Sequence, residues 1–338
     1  MKFLDLLISQ NYSYKFFMSL TKFKKDLYNY IWFLITMGMN YSDEEIDSFR
    51  EAGKITSKAR EFGKKLIKRD SKMVDVCNDV DDFILSNGFD LAFPSQISLN
   101  DCAAHYGASY EDPIVFNESH LAKLDLGAMH NGAIGDTAVS VDLSKDGKFE
   151  YLIKASREAL EKAISLVRPG VYTSLIGKAI GDTALSYGFK PVRNLSGHGI
   201  GIFDLHSAPS IPNYDTQDKV EIKEGMTFAI EPFITNGAGV VSEKGNAELF
   251  MIEGKTSVRS PITRDFLKNA NRFKGLPFAR RYLDKEMGPA RVNFALKELS
   301  SRGVLHEFPP LHDKGNGDVA QSEHSVLVTE DGCEILTK

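Results

Sequence analysis

The 338-residue chain has only three cysteines, Cys77, Cys102 and Cys333, an odd number with no CxxC pair. That scarcity excludes a disulfide-stapled scaffold and a thiolate zinc knuckle, and it points to a reducing, cytoplasmic setting. Long apolar runs are also missing. The most apolar early stretch, YIWFLIT at 30–36, falls far short of the ~20 residues a spanning helix needs. Nor is there a large excess of either charge. The net charge of -5 argues against wholesale nucleic-acid binding.

A composition 42% hydrophobic and 26% charged is globular, and the length supports a sizeable core in one large domain or two ordinary ones. Residues 1–38 stand apart, rich in Phe, Tyr, Lys, Leu and Asn, with the lysines of TKFKKD interrupting any signal-peptide core. An amphipathic anchor is one reading of them. The preferred expectation is an upstream extension, with Met39 as the natural first residue. An ordinary helix start follows at once. Ser42-Asp43-Glu44-Glu45 forms a capping box, and Ile46, Phe49, Ala59, Phe62 and Leu66 recur at helical spacing.

Two stretches resemble each other. Residues 59–89 and 157–189 each read as helix, break, helix and a Gly-Phe stop, closing on LSNGF (85–89) and LSYGF (185–189). Each precedes a histidine among small residues, in CAAHYG (102–107) and LSGHGIG (195–201). The separation exceeds solenoid periods of about 20–50 residues. It predicts two related αβ halves about a pseudo-two-fold, with a pocket at their seam.

DLGAMHNGAIGD (125–136) holds two aspartates around Asn131-Gly132, the strongest short hairpin signal. With Asn131-Gly132 as the loop, Asp125 opposes Ala138 and Asp136 is its diagonal neighbour. A loop one residue earlier puts the aspartates directly opposite. Either register places both on one face. Like charges so close require a shared proton or a metal ion. Glu231 in MTFAIEPFI and Glu323 in AQSEHSVLV are further single acids in apolar strands. Any one alone reads as the solvent side of an alternating strand. Four of them, with His198 in GHGIG, suit a pair of divalent ions rather than a thiolate zinc.

KLDLGAMHNGAIGDTA, NLSGHGIG, FAIEPF and AQSEH, in this order, resemble the five-ligand site of the methionine aminopeptidases, from about Met39 to the C-terminus. The resemblance implies an α+β pita-bread (creatinase/aminopeptidase) fold. Two pseudo-symmetric αβ halves would surround a curved antiparallel sheet in a catalytic domain spanning 39–338. It also implies two divalent ions, of cobalt, manganese, iron or zinc, held by Asp125, Asp136, His198, Glu231 and Glu323. In that pattern Asp136 and Glu323 bridge, Asp125 completes one site, and His198 and Glu231 complete the other. His105 and His206 match substrate contacts, Glu231 matches the proton shuttle, and Phe93 matches a wall of the methionine pocket. The implied activity is removal of the initiator methionine from nascent chains before a small second residue, by a cytoplasmic monomer.

AFPSQISLN with CAAHY, and an insert at about 257–312, resemble the archaeal-like type II branch, where this region is a small winged-helix-like subdomain. NRFKGLPFARRYLD and RVNFALKELSSRGVL in it read as helices. Departures are Ser322 in place of an aromatic, the low charge of GIGIFDLH, and FPPLH in place of Tyr-Pro. Residues 259–302 carry eleven Lys/Arg against four Asp/Glu, a basic surface that would make transient contact with ribosomal RNA or be an ordinary solvated helical face. Two rival functions remain. One is an Xaa-Pro aminopeptidase or prolidase, which usually carries a large N-terminal domain. The other is a binding protein of the same fold, which would have lost ligands that this chain keeps.

Overall fold

The computed structural model describes residues 41–338 apart from 255–256, so the extension at 1–38, its anchor reading and the start at Met39 lie outside the described residues. Residues 41–338 form one compact unit.

Helix α1 (Asp43–Leu66) opens with the expected capping box, in which Ser42 Oγ accepts from Glu45 N and Glu45 accepts from Ser42 N at 2.8 Å. Its buried stripe includes Phe49, Ala52, Ile55 and Ala59. Helices α2 (Met73–Ser86), α3 (Glu150–Ser165) and α4 (Thr173–Ser186) complete two hairpins. The repeat is visible in single hydrogen bonds. Asp70 N donates to Phe116 O and Met73 N to Ile114 O, while Gly170 N donates to Ile222 O and Thr173 N to Val220 O. Asp70 and Gly170 both take positive φ, 72° and 86°. The same backbone device therefore starts α2 and α4. The parallel stops at the two histidines. Strand β2 (Cys102–Ala104), before His105, pairs with β14 (Leu311–Asp313), whereas β6 (Ser196–Gly201), which carries His198, pairs with β7 (Asp204–Pro212) and β8 (Thr227–Ile230).

Strand β1 (Asp90–Leu99) pairs with β3 (Leu121–His130), which pairs with β4 (Ala133–Asp142). Asn131-Gly132 closes the β3–β4 hairpin with both residues at positive φ, 50° and 90°, as a primed turn requires. The register sets Asp125 opposite Ala138 and Asp136 opposite Gly127, so the two aspartates are diagonal neighbours on one face. In the other half, β17 (Cys333–Ile335), β16 (His324–Val328), β8, β6 and β7 form a five-stranded sheet. Three further antiparallel sheets are three-stranded, so the antiparallel surface is divided into segments. One core cluster lies between α1, α2 and the β1–β3–β4 sheet, around Ile55, Val80, Leu124 and Leu126. Another joins the halves through Phe49, Phe93, Met129, Ile200, Ala229 and Leu327.

The insert holds α5 (Pro261–Ala270), α6 (Arg280–Met287) and α7 (Pro289–Ser301) beside a sheet of β11 (Leu249–Ile252), β12 (Phe278–Ala279) and β13 (Leu305–Phe308). It has its own core of Phe250, Phe266, Phe278, Leu283 and Leu299. NRFKGLPFARRYLD is not one helix. Asn271–Phe273 is a single 3₁₀ turn, Gly275 takes φ 83°, and α6 starts only at Arg280. Gly275 and Pro277 break the pattern that the surrounding apolar residues suggest.

Candidate metal centre

Asp125 and Asp136 project from the β3–β4 hairpin, His198 from β6, Glu231 from the end of β8, and Glu323 from just before β16. Hydrogen bonds between the halves bring them together. Ser325 Oγ accepts from Asp136 N at 2.9 Å, Glu323 N donates to Ala138 O at 3.2 Å, and Thr137 Oγ1 donates to Glu323 O at 2.8 Å. His198 Nε2 lies 3.5 Å from Asp136 Oδ2 and 3.7 Å from Glu231 Oε1. Oxygens of Asp136 and Glu323 and a nitrogen of His198 fall within 4.8 Å of one another. Gln321 Nε2 spans Asp125 Oδ2 at 3.4 Å and Glu323 Oε2 at 3.3 Å.

Electrostatics make this cluster costly without cations. Burial pushes the Asp125 carboxyl up to about 7 against the opposing Gln321 hydrogen bond. Asp136 is raised well above its ordinary value by burial and then by the Asp125 charge. Glu231 rises through burial and the charges of Asp136 and Asp125. Glu323 rises through burial and the charges of Asp136, Glu231 and Asp125. Asp125 Oδ1 and Asp136 Oδ1 are buried without a hydrogen-bond partner among the described residues. Orphaned carboxylate oxygens among mutually repelling acids fit hard divalent cations, which satisfy the lone pairs and cancel the repulsion.

His198 completes the donor set. Its Nδ1 lies 3.2 Å from Gly199 O, which can only accept, so Nδ1 carries the proton and Nε2 is left free to ligate. Burial, and then the neighbouring His206, push its pKa down to about 3, which keeps the imidazole neutral as a ligand must be.

All five residues line one cavity of about 310 Å³, together with Phe93, Pro94, Gln96, His105, Leu205, His206 and Phe233. His105 sits in the left-handed region at φ 66°, beside the cleft. Burial, then His206, lower its pKa to about 4. The His206 ring stands edge-on to His198 at 4.5 Å between centroids. Burial, then His306, lower the His206 pKa to about 4 as well, so both histidines are neutral near pH 7, each with one N–H to donate.

Sequence reasoning missed part of this wall. Gln321, two residues before Glu323, carries no sequence signal for its bridge between Asp125 and Glu323. Phe308 and Pro277 of the insert and Leu249 of β11, just before it, line the cavity. Phe308 meets His105 edge-on at 5.6 Å and lies 6.4 Å from His206. The FPPLH motif was the only signal for it, because spacing gives no hint that β13 folds over the cleft.

Comparisons with known proteins give the chain's family and fold relatives. A family model described as metallopeptidase family M24 matches residues 47–330. A methionine aminopeptidase from Archaeoglobus fulgidus is 41% identical over 297 residues, covering 88% of this chain and 99% of that protein. The crystal structure of a methionine aminopeptidase from Thermotoga maritima superposes with a TM-score of 0.66 at 26% identity, covering 89% of this chain and 99% of that one. A prolidase from Pyrococcus furiosus shares the fold with a TM-score of 0.57 at 20% identity, over 88% of this chain but 64% of the prolidase.

Proposed function

This chain belongs to metallopeptidase family M24, and on that premise we propose that it is a methionine aminopeptidase, a hydrolase that removes the N-terminal methionine from peptides and nascent proteins. The observation that carries this reading is the convergence of Asp125, Asp136, His198, Glu231 and Glu323 in one cavity, with two carboxylate oxygens left unpartnered.

In this proposal those five side chains would hold two divalent metal ions. When bound, the ions supply Lewis acidity and bring the pKa of a water down toward neutrality. Glu231 takes a proton at its carboxylate oxygen and returns it to the leaving amine. His206 donates its N–H to the carbonyl oxygen as negative charge develops there. His105 hydrogen-bonds the scissile amide. Phe93, which lines the cavity, packs against the methionine side chain, and the preference for a small second residue is carried from the resemblance.

Peptide cleavage tests the reading. Met-Ala-Ser should release methionine, and both EDTA and Asp136→Asn should abolish release. Cleavage of Xaa-Pro peptides with Met-Ala-Ser untouched would overturn it in favour of a prolidase-like enzyme.

Nascent chains are made in the cytoplasm, so that compartment belongs to the proposal. No described helix is long and apolar enough to cross a membrane. Docking of the basic insert on ribosomal RNA is the weaker reading. Arg272 pairs with Glu286, Lys274 with Asp90, Arg280 with Asp284, Arg281 with Asp81, Arg291 with Asp265 and Arg302 with Glu298. Those partners supply counter-charge and favour a solvated helical face. Salt-sensitive co-sedimentation with ribosomes would reverse that preference. Sedimentation velocity checks the expected monomer.

A further inference from the structure

The insert reaches the cleft through a buried ion pair. The β1–β3 ladder runs from Phe93 opposite Gly127 directly to Gln96 opposite Asp125, leaving Pro94 and Ser95 of β1 without a partner on β3. Pro94 has no N–H to satisfy. Ser95 does, and it is fully buried, so both of its backbone groups need partners elsewhere. Ser95 N donates to Asp81 Oδ1 at 2.9 Å, and Ser95 O accepts from Arg281 Nη2 at 3.3 Å. Asp81 comes from α2 and Arg281 from α6 of the insert. They meet at 2.5 Å, and Asp81 is 3% exposed and Arg281 2%, so water screens the pair little. Arg281 Nε also donates to Asn78 Oδ1 at 3.1 Å, and the Tyr282 hydroxyl donates to Asp81 Oδ2 at 2.6 Å.

The residues around Ser95 form the cleft wall. Phe93, Pro94 and Gln96 line the cavity, whereas Asp81, Arg281 and Tyr282 do not. The Phe93 ring packs over Gly127, where an added Cβ would sit 2.4 Å from Phe93 Cε1. The ring's place therefore depends on where the bulge is held.

We infer that Asp81, Arg281 and Tyr282 are positioning residues through which the insert locks the β1 bulge and so sets the wall that selects methionine at the first position. The inference rests on the methionine aminopeptidase reading of the cleft. An unpinned bulge would let Phe93 shift, loosening side-chain recognition while leaving the five metal ligands in place. Arg281 matters as a fork, because a lysine keeps the charge but cannot reach Asn78, Asp81 and Ser95 at once.

The test compares kcat and KM of the metal-loaded full chain on Met-Ala-Ser and Leu-Ala-Ser, together with Mn²⁺ affinity by calorimetry. Arg281→Met should raise KM for Met-Ala-Ser and narrow the Met-over-Leu preference, each on the order of tenfold, the scale of a lost apolar contact in a pocket. kcat and Mn²⁺ affinity should stay near wild type. Tyr282→Phe, which deletes one hydroxyl, should move both quantities the same way by less, and Arg281→Lys should fall between. Should Arg281→Met fail to fold, these two milder variants decide. Unchanged KM and preference in both, with only thermal stability lowered, would overturn the inference. So would an equal loss of kcat on both peptides. A wild-type chain that releases no methionine overturns the functional reading as well. An active wild type with an unmoved preference overturns the clamp alone.

Discussion

Ser325 grips Asp136 by both backbone groups, its Oγ accepting from Asp136 N at 2.9 Å and donating to Asp136 O at 2.8 Å. The contact ties β16 of one half to β4 of the other at the carboxylate closest to His198. Ser325→Ala strands two buried backbone groups. It should cost about 1–3 kcal/mol of stability and weaken divalent-ion binding by roughly 10–100-fold. Urea unfolding and calorimetric titration with Mn²⁺ measure the two effects. Unaltered ion affinity would show that Asp136 needs no such anchor.

Asp136→Asn should abolish cleavage and yet raise the unfolding temperature of the metal-free chain. Four carboxylates share this buried site, and each raises the cost of ionising the others. Replacing one by a neutral amide removes repulsion. A lower unfolding temperature in EDTA would contradict that account.

The same repulsion fixes a pH dependence. Asp125 is held at about 7 when folded, against about 4 for an ordinary aspartate. Between those values the folded chain binds more protons than the unfolded one, so metal-free stability falls as pH rises from about 4 to 7. Asp136, Glu231 and Glu323 are shifted in the same direction. Saturating Mn²⁺ should reverse the trend and stabilise most at and above pH 7. Calorimetric melting with and without EDTA across pH 5–8 tests the sign.

Gly132 is required twice over. It sits at φ 90°, and a Cβ there would lie 2.5 Å from Phe203 Cε2, at the tip of the neighbouring β6–β7 hairpin. Phe203 N also donates to Gly132 O at 2.8 Å. Gly132→Ala should cost about 1–3 kcal/mol from backbone strain plus a steric contribution, and should lower metal affinity with it. Gly188→Ala is the control, with φ 78° and nothing within 4 Å of the added methyl, so it carries the strain alone. Equal unfolding midpoints for the two variants would rule out the Phe203 contact as a constraint.

Local signals were legible wherever neighbours along the chain decide the structure. The α1 capping box, the Asn131-Gly132 hairpin with Asp125 and Asp136 on one face, and the repeated Gly-Phe stops all follow from short-range backbone chemistry, while the structure chose between the two registers. The helix reading failed in NRFKGLPFARRYLD because the apolar spacing there serves a strand and a turn, with Phe278 buried in the insert core.

The sequence by itself singled out the candidate side chains for the chemistry. It holds four acids and an imidazole in apolar strands, and a turn that puts Asp125 and Asp136 on one face. Only the tertiary structure decided that His198, Glu231 and Glu323 share one cavity with them, that Phe308 of β13 closes over His105, and that Arg281 reaches across to hold Ser95. The reason is physical. Residue spacing fixes geometry within a hairpin or a helix turn, where the backbone is the ruler. Contacts such as Asp136 to Ser325, 189 residues apart, depend on how separate halves bury their apolar faces and satisfy their leftover backbone groups.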